Sequence, residues 1–119
     1  WYQVTDQGAR EGNYLESSAT ALFIYTLAKA INKGYIGNEY IEPTQKAFDG
    51  MVKTFTRLEE DGSYTITNCC AVAGLGGDSK RYRDGSFEYY ISEPIIENDP
   101  KSVGSFILAA IEYEKMTKK

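Results

Sequence analysis

Histidine is absent from this 119-residue chain. That removes the commonest general base and the commonest metal ligand. Cysteine occurs twice, at the adjacent positions Cys69 and Cys70. Neighbouring cysteines bridge each other only with strain. With no third cysteine, a disulfide framework is argued against, and both are expected as buried free thiols. Two adjacent sulfurs without histidine do not make a four-ligand zinc set, so neither a metal nor another cofactor is expected. Cations are in deficit: 13 Lys and Arg stand against 17 Asp and Glu, a net charge of -4. No basic stripe exists to neutralise phosphates, which argues against nucleic acid. Long-range attraction for an anionic sugar is lacking too, so capture of one needs local Arg or Lys. No apolar run reaches membrane length, and no membrane contact is expected. The chain opens on Trp1, with neither an initiator Met nor a signal peptide. The expectation is a truncated chain, which leaves the compartment of the parent open.

What is present suits one small domain or a piece of one. Hydrophobic residues make up 42% and charged residues 25%, the proportions of an ordinary globular protein. Three helices are predicted from apolar positions recurring at three- and four-residue spacing. The first spans Ser17–Lys33, with the stripe Ala19, Leu22, Phe23, Thr26, Leu27, Ala30 and Ile31. Ser17 or Ser18 is the expected cap, and Gly34 the stop. The second spans Glu42–Phe55, with Pro43 at the first helical position and the stripe Ala47, Phe48, Met51, Val52 and Phe55. Gly50 weakens it by up to ~1 kcal/mol relative to Ala, unless a small residue is needed there for close packing. The third spans Asp99–Met116, with Asp99 as N-cap, Pro100 in the first turn and the stripe Val103, Phe106, Ile107, Ala110 and Ile111.

Between the second and third of these helices the pattern breaks. Asp61-Gly62 signals a turn, and at most a short β-hairpin is expected between Tyr64 and Val72. Gly74, Gly76 and Gly77 predict a flexible loop running to Arg83. The G-L-G-G run lacks the Lys-Ser/Thr end of a phosphate loop. Ser86 to Ser92 predicts a short helix ending before Pro94. An Arg83–Asp84 ion pair is expected to fix this connector.

The first eighteen residues carry the chemistry-bearing side chains. W-Y-Q-V-T-D-Q-G-A-R-E-G-N-Y-L-E-S-S is a polar, aromatic loop leading straight into a helix. Aromatic faces stack on a pyranose, amides and carboxylates bind hydroxyls, and a guanidinium grips a carboxylate with two prongs. Trp1 is read either as a stacking face or as a core residue. Asn13, Glu16 and Ser17 are read either as cleft residues or as capping and loop-closing ones. Arg10 is read either as a carboxylate anchor or as the partner of Glu11 or Asp6. Paired carboxylates are the usual device of glycoside cleavage, and Asp6, Glu11, Glu16, Asp84, Glu88 and Glu93 are available.

Three segments in order carry a family resemblance: W-Y-Q-V-T-D-Q-G-A-R-E-G-N-Y-L-E-S-S-A-T-A, then C-C-A-V-A-G-L-G-G, then R-D-G-S-F-E-Y-Y-I-S-E-P-I-I-E-N-D. Together they resemble glycoside hydrolase families 105 and 88, the unsaturated uronyl hydrolases. The resemblance implies an all-α fold: the C-terminal third of a six-hairpin α/α toroid, with 1–119 as part of a single domain. It implies chemistry at the C4–C5 double bond of an unsaturated uronic acid left by a polysaccharide lyase. A carboxyl protonates the enol ether, water adds at C5, and the hemiketal opens to release the neighbouring sugar. The family's acid/base Asp belongs to an earlier part of the chain that Trp1–Lys119 does not match, so no catalytic residue is assigned here. The expected substrate contacts are Trp1, Arg10, Asn13, Glu16 and Ser17, with an unsaturated uronyl oligosaccharide as partner. Exposed inner-ring surface implies self-association of the isolated chain. Two other readings stay open: a non-catalytic carbohydrate-binding or interaction module of helical type, and an inert structural piece.

Overall fold

The computed structural model describes residues 1–118. Three long helices form one layer: α1 (Ser17–Asn32), α2 (Ile41–Phe55) and, as the last element, α4 (Pro100–Thr117). A short helix, α3 (Phe87–Ser92), and two small antiparallel ladders lie between α2 and α4. The first ladder pairs β1 (Thr56–Leu58) with β2 (Tyr64–Ile66). The hairpin therefore begins ahead of the expected Tyr64, because the chain leaves α2 directly into an extended strand. The second ladder pairs β3 (Cys69–Cys70) with β4 (Ile95–Ile96), a pairing across sequence that local alternation does not reveal. Asn98 ties the two ladders together: its side chain accepts from Ile66 N at 2.8 Å, and its own N–H donates to Ile66 O at 2.8 Å.

The helix ends follow from local chemistry. Asp99 caps α4 by accepting from Lys101 N, with Pro100 in the first turn as expected. Ser86 caps α3 by accepting from Tyr89 N. Gly34, at φ +70, turns the chain out of α1. The cap of α1 is neither Ser17 nor Ser18. It is Glu16, whose carboxylate accepts from Ala19 N at 2.7 Å.

α1 and α4 run parallel. Ser17 Oγ meets Ser102 Oγ at 2.6 Å near their starts, and Asn32 Nδ2 donates to Glu112 O at 2.8 Å near the end of α1. α2 runs antiparallel to both, so Met51 and Phe55 meet Ala21, Ile24 and Ala109 in the main core cluster. Ala28, Ile31 and Met116 form a second cluster towards the other end, with Ile36 and Ile41 packed on it.

The buried faces differ from the expected stripes. α1 buries Ser17, Thr20, Ala21, Ile24, Ala28 and Ile31, while Leu22 and Phe23 are exposed. α4 buries Ser102, Ser105, Ala109, Glu112 and Met116, while Ile107, Leu108 and Ile111 are exposed. Small side chains make up much of these two faces, and they let two helix backbones come close. Of the large apolar residues in the periodic stripes, Ile31 and Phe106 pack on the core, while Leu22, Phe23, Ile107 and Ile111 are exposed. Gly50 also departs from expectation: a methyl group added there would meet nothing within 4 Å, so close packing does not explain it.

Candidate functional site

The starts of α1 and α4 and the end of α2 lie at one end of the helical layer, and the irregular segments gather there. Ser17 N donates to Asn68 O at 2.9 Å, and Thr67 N to Phe55 O at 2.9 Å. Residues 1–16 close on themselves: Tyr2 pairs with Leu15, Gln3 N donates to Tyr14 O at 2.7 Å, and Glu16 N donates to Trp1 O at 3.0 Å. Asn13 is the hub of this loop. Its Oδ1 accepts from Val4 N and Tyr14 N, and its Nδ2 donates to Val4 O at 2.9 Å and Gln7 O at 2.8 Å.

Trp1 sits on the α1 surface with 43% of its area exposed. Its ring meets Phe23 edge-on at 5.3 Å, a geometry that leaves ring surface free for a further partner. It forms the shared wall of two apolar depressions. One, of about 360 Å³, is lined by Leu15, Ala47, Gly50 and Met51 among others. The other, of about 610 Å³, is lined by Thr5, Phe23, Thr26 and Leu27.

The remaining expected contacts are placed unevenly around Trp1. Arg10 pairs with Glu88, not with Glu11 or Asp6, and its guanidinium lies 3.9 Å over the Phe87 ring. A second nitrogen donates to Gln7 Oε1 at 2.8 Å. Glu16 is 2% exposed; besides Ala19 N it accepts from Ser18 Oγ at 2.8 Å and Cys70 N at 3.0 Å. Ser17 is fully buried against Ser102. Glu16, Ser17 and Asn13 therefore build the frame that holds the loop on the helix, while Trp1 and Arg10 reach the surface. Cys69 and Cys70 are free and buried, and burial pushes the Cys69 thiol up from its ordinary range. Burial likewise raises the Tyr14 phenol, which lies beside Cys70.

Sequence reasoning missed the second half of this end. Arg83 does not pair with Asp84, which instead accepts from Ser86 N at 2.9 Å. Arg83 and Arg81 both turn to Glu93, at 3.5 and 2.6 Å. Tyr89 Oη donates to Glu93 Oε1, the oxygen Arg83 faces, at 3.0 Å and accepts from Gly74 N at 3.1 Å. Burial alone would raise the Glu93 carboxyl, but the Tyr89 hydrogen bond and the Arg81 charge outweigh it and hold the group below its ordinary value. Gln3 joins the two halves, donating to Cys70 Sγ at 3.3 Å and Tyr90 O at 3.5 Å. A cation run in an acidic chain, K-R-Y-R at 80–83, was the available signal.

Glycosyl Hydrolase Family 88 matches over residues 1–117. Among curated proteins, Protein Atu3128 of Agrobacterium fabrum is 37% identical over 116 residues, covering 94% of this chain and 50% of that protein. The 24.9 kDa protein in the picA locus of Rhizobium radiobacter gives the same figures. Among solved structures, a family 105 glycoside hydrolase of C. acetobutylicum superposes with a TM-score of 0.92 at 46% identity. It covers 96% of this chain, which in turn spans 31% of that structure and half the length of the curated relatives. The mainly helical architecture and this partial coverage fit the C-terminal portion of an α/α toroid. On sequence and on structure alike, the chain belongs to the glycosyl hydrolase family 88 and 105 group.

Proposed function

We propose that this chain is the sugar-holding part of a glycosidase that removes a 4,5-unsaturated uronic acid from lyase-generated oligosaccharides, an unsaturated rhamnogalacturonan disaccharide first among them. The observation that carries the reading is Trp1. It is a half-exposed ring on a loop closed by Asn13 and fastened by Glu16, at the helix-layer end where the connectors gather. A stacking face held on rigid supports is what a pyranose site requires. The acid that protonates the enol ether is proposed to come from a segment of the full-length enzyme outside residues 1–119. Within this chain, Glu16, Asp84, Glu88 and Glu93 are each engaged by a cap, a turn or a guanidinium.

That engagement favours a second reading, a helical carbohydrate-binding module without chemistry of its own. One comparison separates the two. The full-length protein and this chain are each mixed with the unsaturated disaccharide, and loss of the double-bond absorbance is followed. Turnover by the full-length protein alone is the expected result. Turnover by neither supports the binding module. Turnover by this chain would show that its own carboxylates carry the chemistry. In the active protein, Trp1→Ala should lower kcat/KM by roughly 5- to 150-fold, the worth of ~1–3 kcal/mol of lost stacking. Because the ring is half exposed, the melting temperature should change little. A large fall in melting temperature with unchanged kinetics would end the stacking role.

A further inference from the structure

We infer that the loop of residues 74–83 is a second ligand-contacting wall of the same site, and that its cations receive the carboxylate of an acidic sugar unit. This rests on the reading that the chain holds a uronyl oligosaccharide.

Lys80, Arg81 and Arg83 place three of the chain's 13 cations within four residues, in a protein of net charge -4. The loop that presents them is built. Gly76 N donates to Arg83 O at 2.8 Å, and Arg83 N to Gly76 O at 2.9 Å. Between them the backbone turns at Gly77, where a side chain would stand 2.4 Å from Arg81 O. Asp78 accepts from Lys80 N and Arg81 N.

Of the three carboxylates near these three cations, Asp78 and Asp84 are turned onto backbone N–H groups of their own turns. Glu93, whose side chain is 1% exposed, alone faces the two guanidinia, and neither ion pair reaches Lys80. Arg83 Nε is buried and faces Glu93 as an ion pair at 3.5 Å, without a hydrogen bond among the described residues. Lys80 is exposed beside this cluster, and Tyr82 next to it is 69% exposed and offers an aromatic face. A carboxylate meets this loop through charge-assisted hydrogen bonds, and a sugar ring meets it through stacking.

Placement joins this wall to the first. α3 carries the loop of residues 1–16 through Arg10 on Phe87 and Gln3 on Tyr90. Tyr89 on the same helix, and Glu93 directly after it, carry the 74–83 loop. A six-residue helix is only about 9 Å long, so the anchor points of the two loops lie close together.

The test is chemical-shift mapping on this chain with unsaturated digalacturonate, and with the neutral disaccharide lactose as control. The expected result is perturbation of the Lys80–Arg83 amides together with the Trp1 indole by the acidic sugar, and no Lys80–Arg83 shifts from lactose. Lys80→Gln and Arg81→Gln should each weaken the acidic sugar by about fivefold to tenfold, the worth of one exposed charge-assisted contact. Shifts at Trp1 alone, with both variants binding as well as the parent chain, would overturn this inference and leave the proposed function standing. Shifts at 80–83 alone would support this wall and remove Trp1 from the site. Equal response to lactose at 80–83, or no shift in either loop, would overturn it.

Discussion

Removing the Glu16 carboxylate takes away three hydrogen bonds at once: to Ala19 N, Ser18 Oγ and Cys70 N. The first is a helix cap, worth about 1 kcal/mol, and the last leaves a buried backbone N–H unpaired at a cost of about 1–3 kcal/mol. Glu16→Ala should therefore destabilise the chain by about 2–4 kcal/mol in denaturant melts. Glu16→Gln, which keeps an acceptor oxygen, should cost clearly less. Equal losses for both would mean that charge, not hydrogen bonding, holds the loop. The capping role was hidden in the sequence for a physical reason. Ser17 and Ser18 are the residue types that usually cap, and Glu16 does so while also reaching a strand 54 residues away. The Asp99-Pro100 start of α4, by contrast, was plain from its two residues, because that cap is entirely local.

Among the elements, α2 offers the clearest handle. Gly50 lies inside the helix with open space where a side chain would stand. Gly50→Ala should raise stability by up to ~1 kcal/mol, seen as a melting temperature several degrees higher. No gain would show that the depression beside Trp1 shapes the helix at that point. The positions of α1, α2 and α4 were legible from spacing, but the faces of α1 and α4 were not. Periodicity reports where large apolar residues cluster, whereas the buried faces of α1 and α4 are rich in small residues, among them Ser17, Ala21, Ala28, Ser102, Ser105 and Ala109. Nor could spacing show that Arg81 and Arg83 converge on Glu93, since that contact depends on the fold of the connector.

Taken whole, the molecule shows more surface than its mass requires. Its 7524 Å² exceeds the roughly 6,500 Å² typical of a compact monomer of 13.3 kDa. Its radius of gyration, 15.9 Å, exceeds the about 13–14 Å of a compact domain this long. Leu22 and Phe23 on α1, and Ile107, Leu108 and Ile111 on α4, are among the apolar side chains left exposed. Sedimentation of the isolated chain should shift to larger species as concentration rises. Leu22→Lys combined with Ile111→Lys should restore a monomer, and a wild-type chain monomeric throughout would remove the expectation.

Acid should also unmake the molecule as a unit. Lys101 holds the Asp99 carboxyl below its ordinary 3.8, and Lys115, then Asn32, hold Glu112 below 4.5. At Glu97 the Arg57 hydrogen bond does the same, and at Glu93 the ion pairs and Tyr89 prevail over burial. A carboxyl lowered in the folded state contributes stability above its unfolded value and loses it as pH falls through the folded one. Melting temperature should therefore hold steady near neutrality and fall below about pH 4.5. A melting temperature unchanged down to pH 3 would show that these contacts are surface ornaments.

The parallel pairing of α1 with α4 also carries a consequence in time. Ser17 meets Ser102 across 85 residues of chain, so α1 waits for a partner made long after it. At ~5–20 residues per second of synthesis, the wait is roughly 4–17 s. In that interval α1 lacks the helix it packs against most, while α2, made earlier, already meets Ala21 and Ile24. The last helix thus decides the fate of the first, and a ribosome that stalls before Asp99 releases a chain whose α1 has lost its main partner.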